Sequence, residues 1–134
     1  MSIRAIPLLV IAFILYNVIV LTVGLEGLVT PLFSPKMLSG GQWSFTWGDL
    51  ILLVTMILLF IELVKSTFTT TSTLIDHALS MVVFIAILVE FLMVPQAASS
   101  IFFFVLVAAL IDVIAGYTIG IRVARRDLNI GADQ

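Results

Sequence analysis

The sequence predicts an all-α, polytopic membrane protein: a four-helix transmembrane bundle with both termini cytoplasmic. Three observations lead there. First, 62% of the 134 residues are hydrophobic and only 10% are charged, with a mean hydropathy of +1.30, whereas a soluble domain is about half apolar and about one quarter charged. Second, four apolar runs approach the ~20 residues that an α-helix needs to cross the hydrocarbon core. Third, Arg4, Lys65, Arg122, Arg125 and Arg126 fall on one side of these runs and only Lys36 on the other, and the side richer in Lys and Arg is expected to be cytoplasmic. Backbone polar groups facing lipid must be satisfied within the segment, so the spans are expected to be helices.

The first span is expected over residues 5–29. Its apolar run, Ile6 to Val23, is too long for a signal-peptide core, and no A-x-A-like cleavage site follows it at Gly24, Leu25, Glu26 and Gly27, so it reads as a retained span. The connection to the second span carries Pro31, Pro35, Gly40 and Gly41 with Phe33, Trp43, Phe45 and Trp47. Tryptophan favours the membrane–water interface, so this loop is expected to lie along the outer surface. Asp49 can cap the second span, expected over 47–65. A Thr- and Ser-rich connection, Ser66 to Thr73, leads to Asp76 and His77 at the start of the third span, expected over 74–94. Pro95, Gln96 and Ala97 then turn the chain, and Ser99 or Ser100 can cap the fourth span, expected over 99–122. So short a turn makes spans three and four an antiparallel hairpin. Residues 127–134 read as a short polar tail, and residues 1–134 as one domain. The two halves share no motif, which speaks against an inverted-repeat transporter.

Asp112, in the apolar run Ile101 to Ile121, is the most informative residue. A carboxyl group at that depth is expensive and by default marks a functional site or a polar packing contact. Counted along the helices, Asp112 and Asn17 are expected at similar depth, with Tyr16 adjacent, so an Asp112–Asn17 or Asp112–Tyr16 contact would satisfy the acid. Ala108, Asp112, Gly116 and Gly120 are spaced by four and form a stripe of mostly small residues that permits close helix approach. Asp112 therefore faces protein, in this chain or in a second copy. The readings left open are a buried, protonated packing group, a proton- or ion-carrying group, and a contact to another molecule.

Glu90 and Glu26 lie near the outer ends of spans three and one, where they can pair as carboxyls, hold a cation, or simply sit hydrated at headgroup level. On the cytoplasmic side, Glu62 precedes Lys65 by three residues, a spacing that permits an ion pair. Together with Asp76, His77 and Arg122 they can form a polar cluster. That cluster is either a structural ion-pair network or a proton entry point, since histidine titrates near neutral pH.

Other chemistry has no support. Without cysteine there is no disulfide or thiolate chemistry, and a single histidine excludes a multi-histidine site within one chain. No nucleophile–histidine–acid set, glycine-rich phosphate loop or Walker-type lysine is present, so no enzyme activity, cofactor or metal is expected. Arg122, Arg125 and Arg126 suit anionic lipid heads, and nucleic-acid binding has no basis.

The stretch L-F-I-E-L-V-K-S-T-F, Leu59 to Phe68, followed by an apolar span with a charge near its far end, resembles the phosphate-starvation-inducible E family of small bacterial inner-membrane proteins. The resemblance covers the second half of the chain. Members often carry a basic residue where this chain has Glu90. It implies four spans and the bacterial inner membrane rather than a reaction. The expected function is that of a non-enzymatic accessory or structural subunit acting through helix–helix contacts, in a homo-oligomer or a larger membrane complex and in contact with membrane lipids. The alternative is a small proton- or cation-linked transporter or channel using Asp112 and Glu90.

Overall fold

A computed structural model describes residues 6–68 and 73–132. It is mostly helical, with four α-helices: α1 (Leu9–Val23), α2 (Trp47–Ser66), α3 (Thr73–Met93) and α4 (Ser100–Ala132). Within α2, α3 and α4 lie segments long and apolar enough to cross a membrane, at Trp47–Ser66, Ile75–Met93 and Ser100–Ile119; α1 is apolar but shorter.

The first expected span is therefore not one continuous helix. Gly24 adopts φ +88°, which L side chains rarely take, and its N–H closes the last turn of α1 onto the Val20 carbonyl. A 3₁₀ helix, Leu25–Val29, follows. The chain then forms a small hairpin where the sequence suggested a loop. Strands β1 (Pro31–Phe33) and β2 (Phe45–Thr46) pair antiparallel, with an irregular register between Pro31 and Phe33. Phe33 stacks on Phe45 at 5.0 Å between ring centroids, and Trp43 meets both rings edge-on. These aromatic residues are good strand formers, and Gly40 (φ +91°) supplies the tight turn between the strands.

Thr46 is the N-cap of α2. Its hydroxyl accepts from the Asp49 N–H at 3.2 Å, while Asp49 accepts from the Thr46 N–H at 3.0 Å. Asp49 thus completes a capping box as the third helical residue rather than capping alone. At the start of α4, Ser99 is the cap, accepting from the Phe102 N–H at 3.2 Å. A single 3₁₀ turn, Pro95–Ala97, joins α3 to α4, and the two helices pack as the expected antiparallel hairpin.

α4 also packs along α2, and the core sits where α1, α2, α3 and α4 meet. Tyr16, Phe102, Leu9, Ile51, Ile87 and Val105 are its largest fully buried side chains. One end of the bundle carries the hairpin; the other carries Lys65 and the exposed Arg122, Arg125 and Arg126. At this basic end α4 runs on. Ala132 lies about 24 Å along the helix beyond Gly116, whereas α3 starts only about 6 Å beyond His77, the residue facing Gly116. The expected polar tail from Asp127 therefore continues α4 as far as Ala132. Arg4, part of the threonine-rich connection (69–72) and the last two residues lie outside the described residues.

Two glycines differ in what they permit. A Cβ on Gly48 would lie 2.8 Å from Ile101 Cδ1 and 2.9 Å from the Leu28 carbonyl oxygen, whereas one on Gly116 would meet Ser66 Oγ at 3.4 Å and His77 Cε1 at 3.5 Å. Gly48→Ala is expected to cost about 1–3 kcal/mol through overpacking against backbone that cannot yield, and Gly116→Ala close to nothing. Unfolding of both purified variants in detergent, followed by circular dichroism, checks the contrast; equal losses would refute it.

Candidate functional site

Two polar nodes lie one toward each end of the core, while the buried Thr55 between them donates to the Ile51 carbonyl of its own helix at 2.7 Å. The node at the basic end is built on α2, α3 and α4. Gly116 packs against Ser66 and His77, and one helical turn further inward the same three helices present Asp112, Glu62 and Ser80. Asp112 is 5% exposed and Glu62 8%. Ser80 lies beside the Asp112 carboxyl, and Glu62 and Lys65 are near enough to act on it by charge. Lys65 Nζ lies 3.6 Å from Glu62 Oε1, the expected i,i+3 pair. The same Oε1 accepts from the Leu8 N–H at 2.8 Å. Pro7 and the apolar residues around Leu8 offer no side-chain cap for α1, so Glu62 takes that place from a neighbouring helix. An acid at a helix N-terminus also complements the partial positive charge of the exposed N–H groups.

His77 and Asp76 open α3 beside this node. The His77 ring meets the Tyr117 ring edge-on at 5.4 Å. His77 Nε2 and Asp76 Oδ1 are buried without a hydrogen-bond partner among the described residues. A cavity of about 480 Å³ between α3 and α4 is lined by His77, Met81, Val113 and Tyr117. No group of three or more acidic or histidine side chains suited to hold a metal occurs among the described residues.

The node at the hairpin end is built on α1, α3 and the α3–α4 turn. Asn17 Nδ2 donates to Glu90 Oε2 at 3.1 Å and to the Phe13 carbonyl at 2.9 Å. The Tyr16 hydroxyl donates to the Gln96 carbonyl at 2.8 Å and meets Ser99 Oγ at 2.7 Å. Tyr16 has one proton to give, so Ser99 donates to Tyr16 while its own oxygen accepts the Phe102 N–H. The Tyr16 ring packs on Phe102 at 4.8 Å between centroids. One side chain thus ties α1 to the turn and the first turn of α4.

Several expectations change. Asp112 and Asn17 are not level: Asn17 pairs with Glu90, and Ser80, beside Asp112, is ten residues or about 15 Å along α3 from Glu90. Tyr16 serves the turn rather than Asp112. The reason is the vertical placement of α1, which starts level with Glu62 and so carries Asn17 past the depth of Asp112. Asp112 instead lies near Glu62, Lys65 and Ser80. Glu26 is exposed on the 3₁₀ helix, and no hydrogen bond links it to Glu90 among the described residues. The stripe Ala108, Asp112, Gly116 is buried inside the chain against α2 and α3; Gly120 lies on α4 where side-chain surroundings fall outside the described residues. Ser80, beside Asp112, is a neighbour that sequence reasoning misses; its signal is a lone serine seven residues into an apolar helix.

No family model, curated protein or solved structure matches the chain.

Tyr16→Phe is expected to destabilise the protein by about 1–3 kcal/mol, because the Gln96 carbonyl and the Ser99 hydroxyl are left without their buried partner. Glu26→Gln, at an exposed position, is expected to stay within about 0.5 kcal/mol of wild type. Equilibrium unfolding in mild detergent measures both.

Proposed function

We propose that this is a four-span integral membrane protein, non-enzymatic, in which the buried Glu62–Asp112 pair takes up and releases a proton or a small cation. The observation that carries this reading is charge balance. Among the described residues, two carboxyl groups, Glu62 and Asp112, share a buried node with one basic side chain, Lys65. If both acids are ionised, one negative charge is uncompensated, and an unpaired charge away from water costs several kcal/mol. The node therefore needs a proton or a cation, and the unpartnered His77 Nε2 and Asp76 Oδ1 beside it mark a route to the basic end. Ionisable groups inside membrane helices commonly mark such pathways.

The four-span reading is supported by length. α1 is about 23 Å long, and the 3₁₀ helix that follows adds about 10 Å, together enough for a ~30 Å hydrocarbon core. Both termini then share the side of Lys65, Arg122, Arg125 and Arg126, which supports a cytoplasmic location for them. Trp43 and Trp47 at the hairpin end suit the opposite interface. The bacterial inner membrane is the location implied by the resemblance of Leu59–Phe68, which we retain as a proposal. Between the two nodes lie Ala12, Ile87, Val105 and Ala109, all buried and apolar, so passage across the membrane requires the helices to move.

The accessory-subunit reading drew on the small-residue stripe. Of that stripe, Asp112 and Gly116 face the chain's own α2 and α3, which supports the cation-linked reading over the accessory one.

Reconstitution in liposomes with an entrapped pH dye tests the proposal. Wild type is expected to dissipate an imposed proton, sodium or potassium gradient faster than protein-free liposomes. Asp112→Asn and Glu62→Gln, checked for folding, are expected to fall to the protein-free rate. Flux that is absent, or indifferent to both substitutions, rejects the reading. A stoichiometric protein co-purifying from native membrane in that case favours an accessory role.

A further inference from the structure

The hairpin-end node opens into a groove between α1 and α3 that is separate from the Glu62–Asp112 node. Its volume is about 680 Å³, within the range of small-molecule sites. Phe13 and Val18 line it from α1, Ala86 and Met93 from α3, and its polar groups are Asn17 and Glu90. Asn17 engages Glu90 Oε2 alone, and among the described residues nothing hydrogen-bonds Oε1. Glu90 lies in the last turn of α3, its carbonyl accepting the Val94 N–H at 2.9 Å, with no basic side chain lining the groove.

From this we infer that the α1–α3 groove binds a membrane-soluble organic cation, a quaternary ammonium or phosphonium with an apolar body, paired with Glu90. The chemistry selects this class in three steps. A carboxylate in an apolar, lipid-level groove with no basic neighbour calls for a positive charge. A bare inorganic cation would require about six oxygen ligands, and the lining offers only two polar side chains. An organic cation brings its own apolar body to cover Val18, Ala86 and Met93, and the Phe13 ring adds a favourable face for the charge. A phospholipid headgroup would bring a phosphate beside Glu90 without a basic group to receive it. The inference stands apart from the cation-linked role of Glu62 and Asp112, and its test does not involve them.

The probe is radiolabelled tetraphenylphosphonium, with the whole protein in lipid nanodiscs and protein-free discs as baseline. Wild type is expected to bind it saturably, one per chain. Glu90→Gln should weaken binding by about tenfold or more, the size of one lost charge-assisted contact. Glu26→Gln removes an exposed acid at the same end and should leave binding unchanged. Ala86→Phe fills the groove from an exposed wall position and should abolish binding; it decides the matter if Glu90→Gln does not fold. Wild-type binding no greater than protein-free discs overturns the inference. So does binding undiminished from wild type in both the Glu90 and Ala86 variants, which assigns the uptake to lipid tails. Loss of a wild-type dimer in Ala86→Phe, without cation binding, assigns it to a second copy and overturns the inference equally.

Discussion

Close approach of α4 to α2 and α3 is the constraint on which the other features rest. It depends on the small face Ala108, Ala109 and Gly116, which together with Asp112 is buried between the two helices. For helices in hydrocarbon, the setting proposed for this chain, there is no hydrophobic drive to associate, and they hold together by van der Waals fit and internal polar contacts. Bulk on this face would push α4 outward. Asp112 would then lose Ser80, and Glu62 would no longer face a second acid. At the other end, Gly48 does similar service by letting α2 lie against Ile101 and the Leu28 carbonyl.

α1 is held differently. It is apolar on nearly all sides and has no side-chain cap of its own, so its position comes from a few polar contacts. Glu62 receives the Leu8 N–H at the basic end, and Tyr16 and Asn17 reach the α3–α4 turn and Glu90 at the other. The mostly apolar layer between these anchors, with Ala12, Ile87, Val105 and Ala109, separates the two nodes. Polar groups in such surroundings are worth their desolvation only if their partners are in place, so the anchors set the height of α1 relative to the rest. That height in turn decides which acids meet which donors. The exposed wall that α1 leaves against α3 is the groove containing Glu90.

Much of the local structure was legible in the residues. The apolar runs gave the helices, Thr46–Asp49 and Ser99 carried their capping chemistry, Pro95 marked the tight turn, and the spacing of Ala108, Asp112 and Gly116 showed that the acid faces protein. The i,i+3 pair Glu62–Lys65 was also local, and it formed. The hairpin was less legible, because its strands are short and are held by the Phe33–Trp43–Phe45 cluster, whose pairing depends on how the chain folds back at Gly40.

The sequence by itself determined the helical, lipid-compatible character of the chain, since hydropathy and backbone satisfaction are properties of each segment alone. It also determined that Asp112 needs an internal partner. Only the tertiary structure decided that its neighbours are Ser80, Glu62 and Lys65 rather than Asn17 or Tyr16. Counting residues from an expected helix start assumes that all helices begin at the same level. The level is instead set by contacts between helices: Leu8 bound to Glu62 at one end, Tyr16 to Gln96 and Ser99 at the other. No spacing within a single segment encodes that offset.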